Sequence, residues 1–391
     1  MFLYRALCSI PDVPRGVEDI IYEYYANRCS YCGLFILVIC VVVIAFAHSF
    51  ITRWLVPNCK RLVALPLVPS GSYSFLVDWG DGEHSYIYAF DQPERTHNYR
   101  VAGIYEIQIF GKMQGICFDE HESALQLQQV TQWGDLELGN TGGYFSGCHN
   151  LIVTASDKLQ IKNTTNLCKM FYNARLLDMD IEHWDTSNVT VMAHMFSGAE
   201  SFRGKLSHWE TSNVCDMRCM FYAAYSFSGD IGTWDTSSVL DMTDMFGSCF
   251  NFNSDIGKWN TSNVKYMTGM FWECTLFNHD LAWDTSSVID MSNMFRDCVS
   301  FNGNISAWNT GNVHCMSGMF YNATLFNSDI GSWNTGRVRN MYCMFFQASS
   351  FNCDISNWDV CKVHTTHYMF FGASHFDEVH IRSWVYHEVV S

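Results

Sequence analysis

The chain has 391 residues, 39 acidic against 23 basic, and a formal net charge of −16; no basic patch is available to hold phosphates, which excludes a general nucleic-acid binder. With 48% hydrophobic and 16% aromatic residues, 26 Gly and only 6 Pro, it is too apolar to be disordered and too poor in Gly and Pro to be fibrous or dominated by linkers. Its 17 Cys are an odd number, so disulfides within one chain cannot pair them all.

Residues 1–32 form a mixed-charge arm. Within it Val17–Tyr25 has the spacing of a short amphipathic helix, and Cys29-Ser-Tyr-Cys32 has half of a zinc-ligand pattern with no second pair to complete it. Leu34 to Ala47 is uninterrupted apolar sequence, and residues 33–51 together reach the length that crosses a bilayer, so a transmembrane helix or signal anchor is expected there. Ala45-Phe-Ala47 also has the small-x-small form of a signal cleaved after Ala47. Arg28 precedes this span and Arg53, Lys60 and Arg61 follow it, a bias that favours a cytosolic C-terminal side. The domain types downstream instead suit an exoplasmic or particle-surface placement. The expected localisation is a single-pass membrane protein with its membrane contact through 33–51.

After a linker at 52–70, Tyr73 to Gly82 runs apolar residues into an Asp81-Gly82 turn, and Gly103 to Gly111 alternates Ile104, Glu106 and Gln108 with Tyr105, Ile107 and Ile109. A small β-sandwich over 71–111 is expected. Val77-Asp-Trp-Gly-Asp-Gly82, His97-Asn-Tyr99 and Gly103-Ile-Tyr-Glu-Ile107 resemble the PKD-type immunoglobulin-like domain, over about forty residues; that is short, so neighbouring segments would have to supply strands. Asp78 and Asp81 could form a catalytic or calcium-binding pair, but turn shaping is the simpler reading, because calcium needs more oxygen ligands at regular spacing.

A connector at 112–144 leads to a repeat array at 145–391. Met-Phe pairs begin at Met170, Met195, Met220, Met245, Met270, Met294, Met319, Met344 and Met369, so the period is 25 residues with one unit of 24, and tryptophans from Trp184 to Trp358 keep the same register. In Val239 to Cys249 the apolar residues fall at 239, 242, 245, 246 and 249, the spacing of one helical face; Phe252 to Trp259 then reads as extended. So short a unit cannot bury its apolar face alone, and neighbours must stack. The expected fold class is an α/β repeat solenoid, one short strand and one short helix per 25 residues, after a small β-sandwich and an N-terminal transmembrane helix. The recurring Met, Phe and Trp read as a core ladder rather than a binding groove, and Asp185-Thr-Ser-Asn188 and its equivalents as turn and capping residues. Cys249, Cys274 and Cys298 share a column otherwise filled by Ala, which reads as a small buried position.

Phe351-Asn-Cys-Asp-Ile-Ser-Asn-Trp-Asp359 and Phe301-Asn-Gly-Asn-Ile-Ser-Ala-Trp308 resemble the BspA-like surface-protein repeat, a leucine-rich-repeat relative, over about 220 residues. That resemblance implies a leucine-rich-repeat-like fold, a PKD-like module ahead of the repeats, and a role in adhesion. The expected function is a membrane-anchored interaction protein binding a protein or glycan on another surface. The alternatives are a structural component of a virion or cell envelope, with self-association, and, less favoured, a carbohydrate-active enzyme. No hydrolase, zinc-protease, phosphate-loop or EF-hand motif is present, so no catalytic, cofactor or metal residue is nominated and no cofactor is expected. His183 and His208 share a variable column, and the sequons at Asn163, Asn188, Asn260, Asn304 and Asn322 use residues the repeat needs anyway.

Overall fold

The computed structural model describes residues 47–119 and 121–384. They fall into two compact units. The first holds the described residues up to Cys117 with His121–Thr141 and Ile152–Gln160; the second holds Phe118 and Asp119, Gly142–Leu151 and the described residues from Ile161 onward. The arm at 1–32, with Val17–Tyr25, Cys29 and Cys32, and residues 33–46 of the expected span lie outside the described residues.

The end of that span is described, and it is not helical: Phe50 and Ile51 open strand β1 (Phe50–Val56). Among the described residues no helix is long and apolar enough to cross a membrane. These findings overturn the single-pass placement, its membrane contact through 33–51 and the orientation drawn from Arg53, Lys60 and Arg61. From Phe50 the apolar run changes to period two. Phe50, Thr52, Trp54 and Val56 are buried while Arg53 and Leu55 are exposed, and Thr52 accepts the indole N–H of Trp54 at 2.8 Å.

The other strands are β2 (Leu62–Ala64), β3 (Leu67–Asp78), β4 (His84–Ile87), β5 (Thr96–Asn98), β6 (Gly103–Ile116), β7 (Leu127–Gln132) and β8 (Ile152–Val153). Six form a sheet in the order β4-β3-β6-β1-β7-β8, with β2 and β5 paired separately. Within the sheet only β7 and β8 run parallel. The stretch 52–70, expected as a linker, thus carries β1, β2 and the start of β3. Strands outside 71–111 complete the sheet, β1 lying between β6 and β7. Between β3 and β4 the chain reverses at Gly80, whose φ is +79°; a Cβ there would lie 2.5 Å from the Glu106 carbonyl oxygen of β6.

In the second unit the repeats stack, but not as strand-plus-helix units. Helix among the described residues amounts to three short 3₁₀ segments, Pro93–Arg95, Ala124–Gln126 and Glu378–Trp384, beyond the single residue Ala47. The pairing between repeats is one residue wide, a run of parallel bridges from Asn166 through Val191, Asp216, Asp241, Tyr266, Asp290, Cys315 and Asn340 to Thr365. The α/β solenoid and its leucine-rich-repeat reading are corrected accordingly.

The backbone hydrogen bonds explain the difference. In the coil built on Met245 and Phe246, the amides of Met245, Gly247 and Cys249 donate three residues back, to Met242, Asp244 and Phe246. The alternate amides, of Met242, Asp244, Phe246 and Ser248, donate to the next coil at Tyr266, Thr268, Met270 and Trp272. A helix would send them four residues back. Asp244 and Ser248 also have positive φ, 50° and 57°, which no α-helix accommodates. The three-and-four spacing is therefore a run of turns, with every second amide spent on the neighbouring coil.

The apolar columns are buried as the spacing requires. Phe171 through Phe370 stack at centroid separations of 5.3–5.9 Å. Trp184 through Trp384 stack at 6.0–6.4 Å, with no break at the 24-residue unit. Seven of these indoles, Trp209 to Trp358, donate to a carbonyl of the preceding coil. Burying a ring of this size removes about 150–250 Å² from water, about 4–6 kcal/mol at roughly 25 cal/mol per Å².

Candidate functional site

The sequence-nominated polar residues are absorbed by structure. In the first unit Asp78 accepts the Gly80 amide at 2.9 Å, and Asp81 accepts the Glu83 amide at 3.1 Å and meets His97 Nε2 at 2.8 Å. Burial opposes ionisation of Asp81, but its bonds from His97 and Glu83 outweigh that and hold the carboxyl below its usual range. His97 itself stacks on Trp79 at 5.0 Å. Both carboxylates therefore build the turn.

In the second unit each residue of the Asp-Thr-Ser-Asn segment has a post. Asp185, Asp235 and Asp284 accept the amide two residues on, and bonds from Ser187, Ser237 and Ser286 hold their carboxyls below the usual range. Thr186 and its six successors to Thr335, all buried, donate to a carbonyl of the next coil. Asn188 donates back to Lys162, and Asn322 to the Asp297 carboxylate. His183 and His208 are exposed, His208 lying 3.0 Å from Glu182. Cys249, Cys274 and Cys298 are buried free thiols that donate to carbonyls of the preceding coil at 2.7–3.1 Å, and burial pushes their pKa values up, leaving them poor nucleophiles. Among the described residues no group of three or more His, Cys, Asp or Glu is placed to hold a metal ion.

A different column, the residue that follows each Met-Phe pair, is half-buried along the stack and exposed at its last member. It is Tyr172, Tyr222, Trp272, Arg296, Tyr321, Phe346 and Phe371 in seven of the nine coils. The buried Met-Phe pair lies between two left-handed residues, such as Cys343 (φ 53°) and Gln347 (φ 55°), so the coil turns its pair inward and presents the next side chain at the surface. Over the last four coils these side chains and Tyr342 and Tyr368 line a groove of about 560 Å³. The Arg296 guanidinium lies 4.2 Å from the centre of the Tyr321 ring. Tyr321 stacks on Phe346 at 4.6 Å, and Phe346 on Phe371 at 5.2 Å. Tyr342, Tyr368 and Phe371 are 46%, 52% and 60% exposed. Such a surface can bind by apolar contact, by cation–π attraction and through its phenol hydroxyls.

A family model described as "Mycoplasma protein of unknown function, DUF285" matches residues 139–246, 204–302 and 281–384. The chain belongs to this family. The three matches overlap along the stacked array, so the DUF285 pattern coincides with the coils and the groove lies within the last match. No curated protein matches the sequence.

Proposed function

We propose that the chain is a non-enzymatic interaction protein that holds a protein partner against the aromatic groove on the last four coils of its DUF285 repeats. One observation carries this reading. The side chains that line it are Tyr, Phe and Arg on consecutive coils, with Tyr342, Tyr368 and Phe371 exposed and Arg296, Tyr321 and Phe346 half-buried, types that are enriched at protein interfaces. A glycan fits less well, because sugar stacking needs open ring faces and Tyr321, Phe346 and Phe371 cover one another's. The resemblance of the repeats to BspA-like proteins, and of 71–111 to a PKD-like module, supports a binding role of this kind.

Photo-crosslinking from position 342 in cells that carry the chain, with position 325 as control, tests the reading. Leu325 is 56% exposed and does not line the groove. A defined protein is expected to be trapped from 342 alone. Phe346→Glu is expected to weaken its capture roughly thirtyfold, the loss of one interface hot spot of about 2 kcal/mol. Cross-links of equal yield and composition from both positions would sink the proposal, and cross-links to a second copy of the chain would favour a structural, self-associating role.

A further inference from the structure

The two ends of the DUF285 stack are finished differently. At the head, the Phe118 amide donates to the Gly143 carbonyl at 2.9 Å and the Phe118 ring stacks on Phe145 at 5.9 Å. Asp119 accepts from Ser146 at 2.8 Å and from Lys169 at 2.9 Å. The first coil is thereby covered.

At the tail the cross-coil pattern stops with its donors unspent. Cys343, Phe345 and Gln347 donate to His367, Met369 and Phe371 at 3.0, 2.9 and 2.7 Å. The equivalent amides one coil on belong to Tyr368, Phe370 and Gly372, and none of the three has an acceptor among the described residues. They form a row of donors at alternate residues, the spacing of a strand edge that lacks its partner. Beside the row lies a cavity of about 370 Å³ walled by Met369, Phe370, Phe376, Ile381 and Trp384. Phe370 and Phe376 stack at 4.0 Å and stand last in their two ring columns. The buried Nε1 of Trp384 has no partner among the described residues.

We propose that this open tail is a docking site for a segment of another polypeptide, which adds itself to the stack as one more coil. Three of its carbonyls at alternate residues accept from Tyr368, Phe370 and Gly372, and an aromatic side chain of its own continues the ring column over Phe370. Main-chain bonds supply affinity and the cavity supplies selectivity, as in strand addition to a sheet edge. The head of a second copy is a poor occupant, because Phe118 and Asp119 already cover it. The site is separate from the protein-binding groove at Tyr342 and Phe346, although Tyr368 and Phe371 border both.

The test is hydrogen exchange of the full chain with and without a synthetic peptide of residues 339–363, one complete coil of this protein's own pattern. Exchange at Tyr368, Phe370 and Gly372 is expected to slow about tenfold or more at saturating peptide. Phe371→Glu, which places a carboxylate beside the incoming carbonyls, is expected to abolish the effect, and Phe346→Glu, which lines the groove but not the cavity, to leave it. Three results overturn the proposal. The first is no change at these amides at any peptide concentration. The second is exchange in the free chain as slow as at Cys343, Phe345 and Gln347, which means that the end is already covered. The third is slowing with chain concentration alone, which makes a second copy the occupant. All three are read on the unmutated chain, so a variant that fails to fold does not rescue the idea.

Discussion

The sheet unit and the repeat stack solve the same problem, pairing every buried backbone group, by opposite means. In the sheet, β3 and β6 pair along most of their length, residues such as Asp78 and Gln108 being thirty apart in sequence, and the register is set by alternating faces. In the stack each coil pairs through alternate amides with the coil one repeat away, so every inner coil has the same partners whatever its position. An error in the sheet therefore propagates along strands drawn from the whole unit, whereas an error in the stack belongs to one coil and its two neighbours.

The largest test of that contrast is Phe246→Ala. Its ring is fully buried and stacked against Phe221, Phe252 and Phe271, and its removal is expected to cost about 3–5 kcal/mol. In hydrogen exchange the lost protection should centre on the coils of Phe221 and Phe271 and spare β3 and β6; uniform loss across both units would break the comparison. Next in size is Gly80→Ala, expected to cost about 1–3 kcal/mol because the new Cβ meets a β6 carbonyl at positive φ. Gly269→Ala in the stack, also at positive φ, should cost less, about 1 kcal/mol, because its Cβ meets the movable Asp244 carboxylate. Urea unfolding of the two variants checks their order.

Smaller again, Thr236→Val removes a buried hydroxyl that donates to the Asn260 carbonyl at 2.9 Å, for an expected loss of about 1–2 kcal/mol in the same measurement. The smallest effect is on Asp81. Its carboxyl is held below the usual range in the folded chain, so its contribution is complete above the ordinary carboxylate pKa, about 4, and is lost as pH falls through the lower folded value. Asp81→Asn should therefore weaken the sheet unit at neutral pH and flatten its acid unfolding profile below about pH 4. An unchanged profile would mean that the His97 contact contributes nothing.

Much of the stack is written in the sequence. The period, the buried Met, Phe and Trp columns and the turn-making Asp-Thr-Ser segment are all where the residues place them. Helix and a run of turns, however, both bring residues three and four apart to one side, so spacing alone does not separate them. A partial signal lies at the left-handed positions, which hold Gly198, Gly269, Gly318, Gly372, Asn173, Asn293 and Asn322, residues that tolerate positive φ and weaken helices, but also Lys169, Ala223, Glu273 and Tyr368, which give no such hint. Strand β1 was obscured for a different reason. The apolar run before it ends without punctuation, and only the alternation from Phe50 marks the change. The groove was hidden by its own surroundings, because the aromatics that recur most regularly are the buried ones, and those that line the groove sit in irregular, half-buried or exposed columns beside them.

The amides exchanged between coils are unequal in the two directions, and this has an electrical consequence. In a coil such as that of Phe196, four backbone N–H groups point toward the following coil, from Met192, His194, Phe196 and Gly198, while Thr190 and Val191 share the Thr165 carbonyl of the preceding coil and Ser201 donates back to Arg175. Each peptide carries a dipole of about 3.5 D, and aligned peptides add as they do along a helix. The stack is thus a bar with a sign at each end, its positive pole at the last coil, where Asp377 and Glu378 supply negative charge. Every coil gained or lost in the array changes the length of that bar without changing which end attracts an anion.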